Sequence, residues 1–84
     1  GPRIVPLNKP HVLEFRNPLI EAAEINVRFD NPAFSCQKLN PKIDGKKSVQ
    51  ITIAYKPVPD YGTYGRMIVT LNKLPPWIYY LQAE

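Results

Sequence analysis

Residues 48–71 read SVQITIAYKPVPDYGTYGRMIVTL, and the fold class follows from them. Val49, Ile51, Ile53 and Tyr55 alternate with Gln50, Thr52, Ala54 and Lys56; Met67, Val69 and Leu71 alternate with Ile68, Thr70 and Asn72. A period of two puts every second side chain on one face of a sheet, so both runs are half-buried strands. Residues 57–65 between them are too many for a two-residue hairpin. Pro57 and Pro59 remove backbone donors, so the ladder stops there. Gly62 and Gly65 are expected to take backbone conformations that a Cβ would make costly.

Outward from this stretch the alternation recurs. His11–Arg16 places Leu13 and Phe15 on one face and Glu14 and Arg16 on the other. Residues 24–30 set Ile25, Val27 and Phe29 against Asn26, Arg28 and Asp30. Asn17-Pro18 and Asn31-Pro32 end these two runs, as Asx-Pro pairs do. Residues 19–23 could form one helical turn, but the period does not persist and a loop is preferred. Residues 34–37 are read as the same edge continuing after a kink, with Phe34 and Cys36 inward. Residues 39–47 are a polar connection with a turn at Asp44-Gly45. Residues 3–10 hold Pro6 and Pro10 and offer at best a short edge strand around Ile4 and Val5. The final segment, WIYYLQ from Trp77, is aromatic and β-branched; Trp77, Tyr79 and Leu81 carry more apolar area than Ile78 and Tyr80 and are assigned to the core. With no amphipathic helix of several turns, the expectation is an all-β antiparallel sandwich of five to seven strands.

The chain has 84 residues, which is one domain, and 44% hydrophobic content, which suffices for a core. No apolar run approaches the roughly 20 residues of a spanning helix, and no signal-peptide pattern opens the sequence. Gly1-Pro2 reads as an expression-tag scar, leaving residues 3–84 as one module of a larger protein. A single cysteine, Cys36, precludes an internal disulfide, and no Asn-x-Ser/Thr acceptor occurs. Both features favour a reducing, cytoplasmic compartment. The net charge of +4 is scattered, with only Lys46 and Lys47 adjacent. Lys46, Lys47, Lys56 and Arg66 are the candidates for contact with an acidic partner.

Reactive chemistry finds little support. One His and one Cys cannot supply four side-chain zinc ligands, so no metal is expected. His11 reads as an edge or surface residue and Cys36 as a small buried hydrophobe. There is no Ser/His/Asp set, no carboxylate pair singled out by spacing, and no Lys-Ser/Thr after the glycines to make a phosphate loop. No catalytic residue and no cofactor is assigned. The basic residues are too sparse among the tyrosines for a nucleic-acid stacking surface.

Tyr55-Lys56-Pro57, then Tyr61-Gly62-Thr63-Tyr64-Gly65, then the apolar run from Met67 to Leu71, then Trp77-x-Tyr79-x-Leu81, together resemble the ASH domain, the type found in abnormal-spindle and hydin. The resemblance covers residues 49–81, with weaker agreement from Leu13 to Phe34; Asn17 fits the asparagine that often closes that family's first strand. It departs at the first strand, unclear here, and at the end, where Gln82 and Ala83 stand instead of a glycine. The resemblance implies an immunoglobulin-like sandwich of the PapD and major-sperm-protein type, with Pro57, Gly62, Tyr64, Gly65, Trp77, Tyr79 and Leu81 as structural corner and core. Tyr64 is expected to hydrogen-bond back to nearby backbone, as corner tyrosines do. It further implies a non-enzymatic protein-binding scaffold in a cilium, flagellum or centrosome, associated with microtubules. The unclear first strand adds an expectation of edge-strand self-association or strand exchange. The alternative is a module of the major-sperm-protein kind that takes peptide motifs or a membrane surface.

Overall fold

The computed structural model describes residues 3–5, as a backbone strand, and residues 10–83. Eight strands are formed: β1 (Arg3–Val5), β2 (His11–Arg16), β3 (Ala23–Phe29), β4 (Phe34–Cys36), β5 (Lys42–Ile43), β6 (Ser48–Tyr55), β7 (Tyr64–Leu71) and β8 (Trp77–Ala83). They make two sheets, of order β1-β8-β7-β3-β5 and β2-β6-β4. All pairings are antiparallel except that of β1 with β8, which is parallel. Eight exceeds the expected five to seven because β1 and β5 are only three and two residues long.

The period-two pattern is realised wherever it was read. Leu13, Phe15, Ile25, Val27, Ile51, Ile53, Met67, Val69, Leu71 and Leu81 are all buried, and they meet in one core between the sheets. Trp77 and Tyr79 pack against that core while Ile78 and Tyr80 face outward. The ring of Trp77 stands edge-on to Phe15 at 5.1 Å between centroids and 87° between planes. That geometry suits aromatic quadrupoles and joins β8 of one sheet to β2 of the other. The two ribbons of residues 48–71 lie in different sheets: β6 and β7 face each other across the core, and residues 56–63 carry the chain between them.

Residues 34–37 depart from the expectation. β4 does not extend the edge of β3; it pairs with β6 in the opposite sheet, with Phe34 opposite Tyr55 and Cys36 opposite Ile53. The chain then returns to β3 within a few residues. The amides of Val27 and Ile25 donate to the carbonyls of Leu39 (2.7 Å) and Pro41 (3.1 Å), and β5 completes the edge. The polar connection is thus partly a strand, because the free amides of β3 recruit carbonyls whatever side chains accompany them. The N-terminal segment forms the short edge strand read around Ile4 and Val5: β1 lies beside β8, with Arg3 opposite Leu81 and Val5 opposite Ala83. Gly1 and Pro2, read as a tag scar, lie outside the described residues.

Candidate functional site

Both Asx-Pro breaks become buried pins, one at each end of the sandwich. At the first, Asn17 is 0% exposed. Its Nδ2 donates to the carbonyls of Glu21 (2.9 Å), Ile43 (3.0 Å) and Asp44 (3.3 Å), and its Oδ1 accepts from the amide of Leu19 (2.9 Å). At the second, Asn31 is also buried: Nδ2 donates to the carbonyls of Gly62 and Tyr64, both at 2.9 Å, and Oδ1 accepts from the amide of Ala33 at 2.9 Å. In each case the asparagine closes a strand, caps its own turn two residues on, and uses its amide to hold a distant loop. The sequence signal was present in both Asn-Pro pairs, but it marks a turn and is silent about which loop the amide reaches.

The corner carrying the family-like motif is therefore built by Asn31, not by Tyr64. Tyr64 is 66% exposed, and its backbone carbonyl is what bonds into the corner. The glycines also act differently from expectation. Neither takes a positive φ. A Cβ on Gly62 would meet nothing within 4 Å, whereas one on Gly65 would sit 2.8 Å from two ring carbons of Phe34 and 3.0 Å from Cβ of Asn31. Gly65 is required by close approach to a ring that is itself stacked on Tyr55 at 5.0 Å. Leu81 lies directly opposite Gly65 in the β7–β8 ladder. Tyr55, Phe34, Gly65 and Leu81 thus form one contiguous corner, and exposed Pro57 follows where β6 ends.

The four basic candidates are not brought together. Lys46 and Lys47 precede β6 and Lys56 follows it, so Lys47 and Lys56 are about 30 Å apart at the rise of a strand. Lys46, at φ 62°, donates from Nζ to the carbonyl of Pro18 at 2.6 Å. Arg66 is engaged at the other end: its Nε donates to Oδ2 of Asp30 at 2.8 Å and its amide to Oδ1 at 2.6 Å. Burial pushes the Asp30 carboxyl up, but the guanidinium and amide of Arg66 outweigh it and the net shift is downward. The same contact raises Arg66. Lys46 shares a shallow surface cleft with Ile20, which is 86% exposed on the loop that Asn17 holds.

Cys36 is half-buried rather than enclosed, and its Sγ lies 3.3 Å from the carbonyl of Lys38. Burial pushes its thiol up, away from the reactive thiolate. His11 sits at the start of edge strand β2, half-buried. Among the described residues no cluster of His, Cys, Asp and Glu is placed to hold a metal ion, and no helix is long and apolar enough to cross a membrane.

The surfaces that remain are sheet edges and one outer face. The outer face of the larger sheet carries Ile68, Ile78 and Tyr80 beside Arg28 and Arg66, brought together by the β3–β7 and β7–β8 registers. The smaller sheet ends in β2, the longest edge strand of the molecule.

Two solved structures share this arrangement. The CupB2 chaperone of Pseudomonas aeruginosa superposes with a TM-score of 0.78 at 14% identity, covering 99% of this chain and 52% of that one. The DraB chaperone of E. coli gives 0.76 at 12% identity, covering 96% and 50%. The chain spans about half the length of each. Identity this low establishes fold: a PapD-like, immunoglobulin-like sandwich. No protein-family model and no curated relative matches the chain by sequence.

Proposed function

We propose that this chain is a non-catalytic, protein-binding scaffold module of the ASH type, serving axonemal or other microtubule-associated assembly in a cilium, flagellum or centrosome. The observation that carries the reading is the corner at Asn31. Of the residues on which the sequence resemblance rests, Tyr55, Gly65 and Leu81 meet there with Phe34, and the amide of Asn31 holds the backbone carbonyls of Gly62 and Tyr64 beside them. Dispersed motif letters that assemble into one three-dimensional unit support a shared domain type more strongly than the letters do. The PapD-like fold is in accord with it, since both structural neighbours are chaperones, which act on other proteins. Edges and faces are the surfaces such a sandwich offers, and a strand edge takes up a partner through backbone hydrogen bonds.

The test is proximity labelling in ciliated cells with the chain fused to a labelling enzyme. Enrichment of axonemal or centrosomal proteins supports the reading; labelling no different from the unfused enzyme overturns it.

Exposed Ile20 beside Lys46, with Lys47 next in sequence, favours a second reading, a module that docks on an anionic membrane surface. Flotation with vesicles of anionic lipid decides it. Binding that is lost on K46E/K47E supports this reading, and no binding to any vesicle removes it.

A further inference from the structure

We propose that β2 is a self-pairing edge: two copies of this chain join antiparallel along His11–Arg16, with Glu14 of each opposite Arg16 of the other. The inference rests on the reading of the chain as a protein-binding module and names one partner for it, a second copy.

The orientation of the backbone comes first. The amide of Asn17 donates to the carbonyl of Lys47 at 2.9 Å, continuing the register that sets Arg16 opposite Ser48. Antiparallel ladders alternate hydrogen-bonded and non-hydrogen-bonded pairs. The odd-numbered residues of β2 therefore turn their N–H and C=O groups toward β6. Val12, Glu14 and Arg16 turn theirs out of the sheet, and no described residue bonds to them. The other edges are shorter. β4 has three residues and follows Pro32, β5 has two and follows Pro41, and β1 has three. β2 has six, with its flanking prolines, Pro10 and Pro18, just outside. Short strands blunt an edge, and β2 lacks that protection; its prolines lie outside the strand and leave the six residues between them free to pair.

The side chains select the partner. Glu14 and Arg16 are exposed on one face of the edge, and across the ladder they meet only Gln50 and Ser48. Neither has an ion pair among the described residues. Opposite charges two residues apart deter most strands but complement their own antiparallel copy. With Phe15 opposite Phe15 of the second copy, Glu14 faces Arg16 twice, and each of these pairs exchanges two backbone hydrogen bonds. A slip by one pair in either direction sets Glu14 against Glu14 or Arg16 against Arg16. Next along the edge, Val12 meets Pro18 of the other copy, which has no N–H, so the ladder ends there. The result is an isologous, closed pair whose two three-stranded sheets become one.

So narrow a contact buries well under the ~1,200 Å² of a standard interface, and a dissociation constant on the order of 0.1–1 mM is expected. Sedimentation equilibrium at low salt, up to about 1 mM protein, reads it. E14R and R16E should each weaken association by about tenfold or more, since like charges then oppose in both pairs. Mixing E14R with R16E should restore association to within about threefold of the parent, because every pair again joins opposite charges. The double variant E14R/R16E should also restore it, and circular dichroism confirms that each variant is folded. A parent chain that stays monomeric throughout overturns the proposal. So do single variants that associate like the parent, or a mixture no better than its components. Such a failure leaves the proximity-labelling result untouched, and a failure of that result leaves a self-pairing module with no ciliary role.

Discussion

Replacing Asn17 by Ala removes a side chain with no exposed surface and four hydrogen bonds to backbone. Glu21 and Asp44 are exposed residues, so water can reach their carbonyls. The carbonyl of Ile43, a buried residue, and the amide of Leu19 lose their partner inside the turn. An orphaned buried polar group costs about 1–3 kcal/mol, so the variant should lose about 2–4 kcal/mol. A domain of this length holds only about 4–13 kcal/mol in total. The melting temperature should fall by roughly 10–30 °C. Urea unfolding followed by circular dichroism gives the free energy directly. Asn40→Ala, at an exposed position, is the control and should stay within about 0.5 kcal/mol of the parent. Asn17→Asp sharpens the test. The carboxylate keeps an acceptor for Leu19 but turns a negative charge toward three carbonyls, so its folded-state pKa lies above the unfolded value. Its penalty relative to the parent therefore grows as pH rises through the ordinary carboxylate range and shrinks toward acid. A loss under about 1 kcal/mol for Asn17→Ala would refute the view that this amide holds the loop.

Gly65→Ala should cost about 1–3 kcal/mol in the same urea assay, because the new methyl meets the buried Phe34 ring; Gly62→Ala should stay within about 0.5 kcal/mol. The Asp30 carboxyl titrates lower in the folded chain, so its contribution to stability is present above the unfolded value near 3.8 and is lost as pH falls through the lower folded one. Asp30→Asn should accordingly flatten the acid limb of the stability profile below about pH 4, measured by thermal melts from pH 2 to 7. Cys36, held up by burial, should react with iodoacetamide at pH 7 several-fold more slowly in the folded chain than in urea; equal rates would show the thiol to be free.

Most of the core was legible because burial of one sheet face imposes a period of two, and that pattern survives whatever the strands pair with. Leu13 and Phe15, Ile25 and Val27, Met67 and Leu71 needed no further information. Partnership was not legible, because the same alternation serves either sheet. Phe34 and Cys36 point inward as read, yet their strand belongs with β6 and not with β3. Residues 39–43 escaped for a different reason: they pair through backbone carbonyls and carry no alternating pattern. At the candidate corner the motif drew attention to Tyr64, whereas the hydrogen bonds are made by Asn31. A tyrosine between two glycines draws notice, whereas a buried asparagine ahead of a proline looks like any turn. The basic residues show the limit of a linear reading: Lys47 and Lys56 are near in sequence but occupy opposite ends of one straight strand.

The parallel pairing of β1 with β8 has a mechanical consequence. Because the first and last strands run the same way side by side, tension drawn through both ends of the module pulls them in opposite directions along their shared axis. The slanted backbone hydrogen bonds along the register of Arg3–Val5 with Leu81–Ala83 then bear load together rather than parting one after another like a zip. A module strung between neighbours under stress would resist stretching first at this clamp, and would yield at far lower force if pulled across the strands.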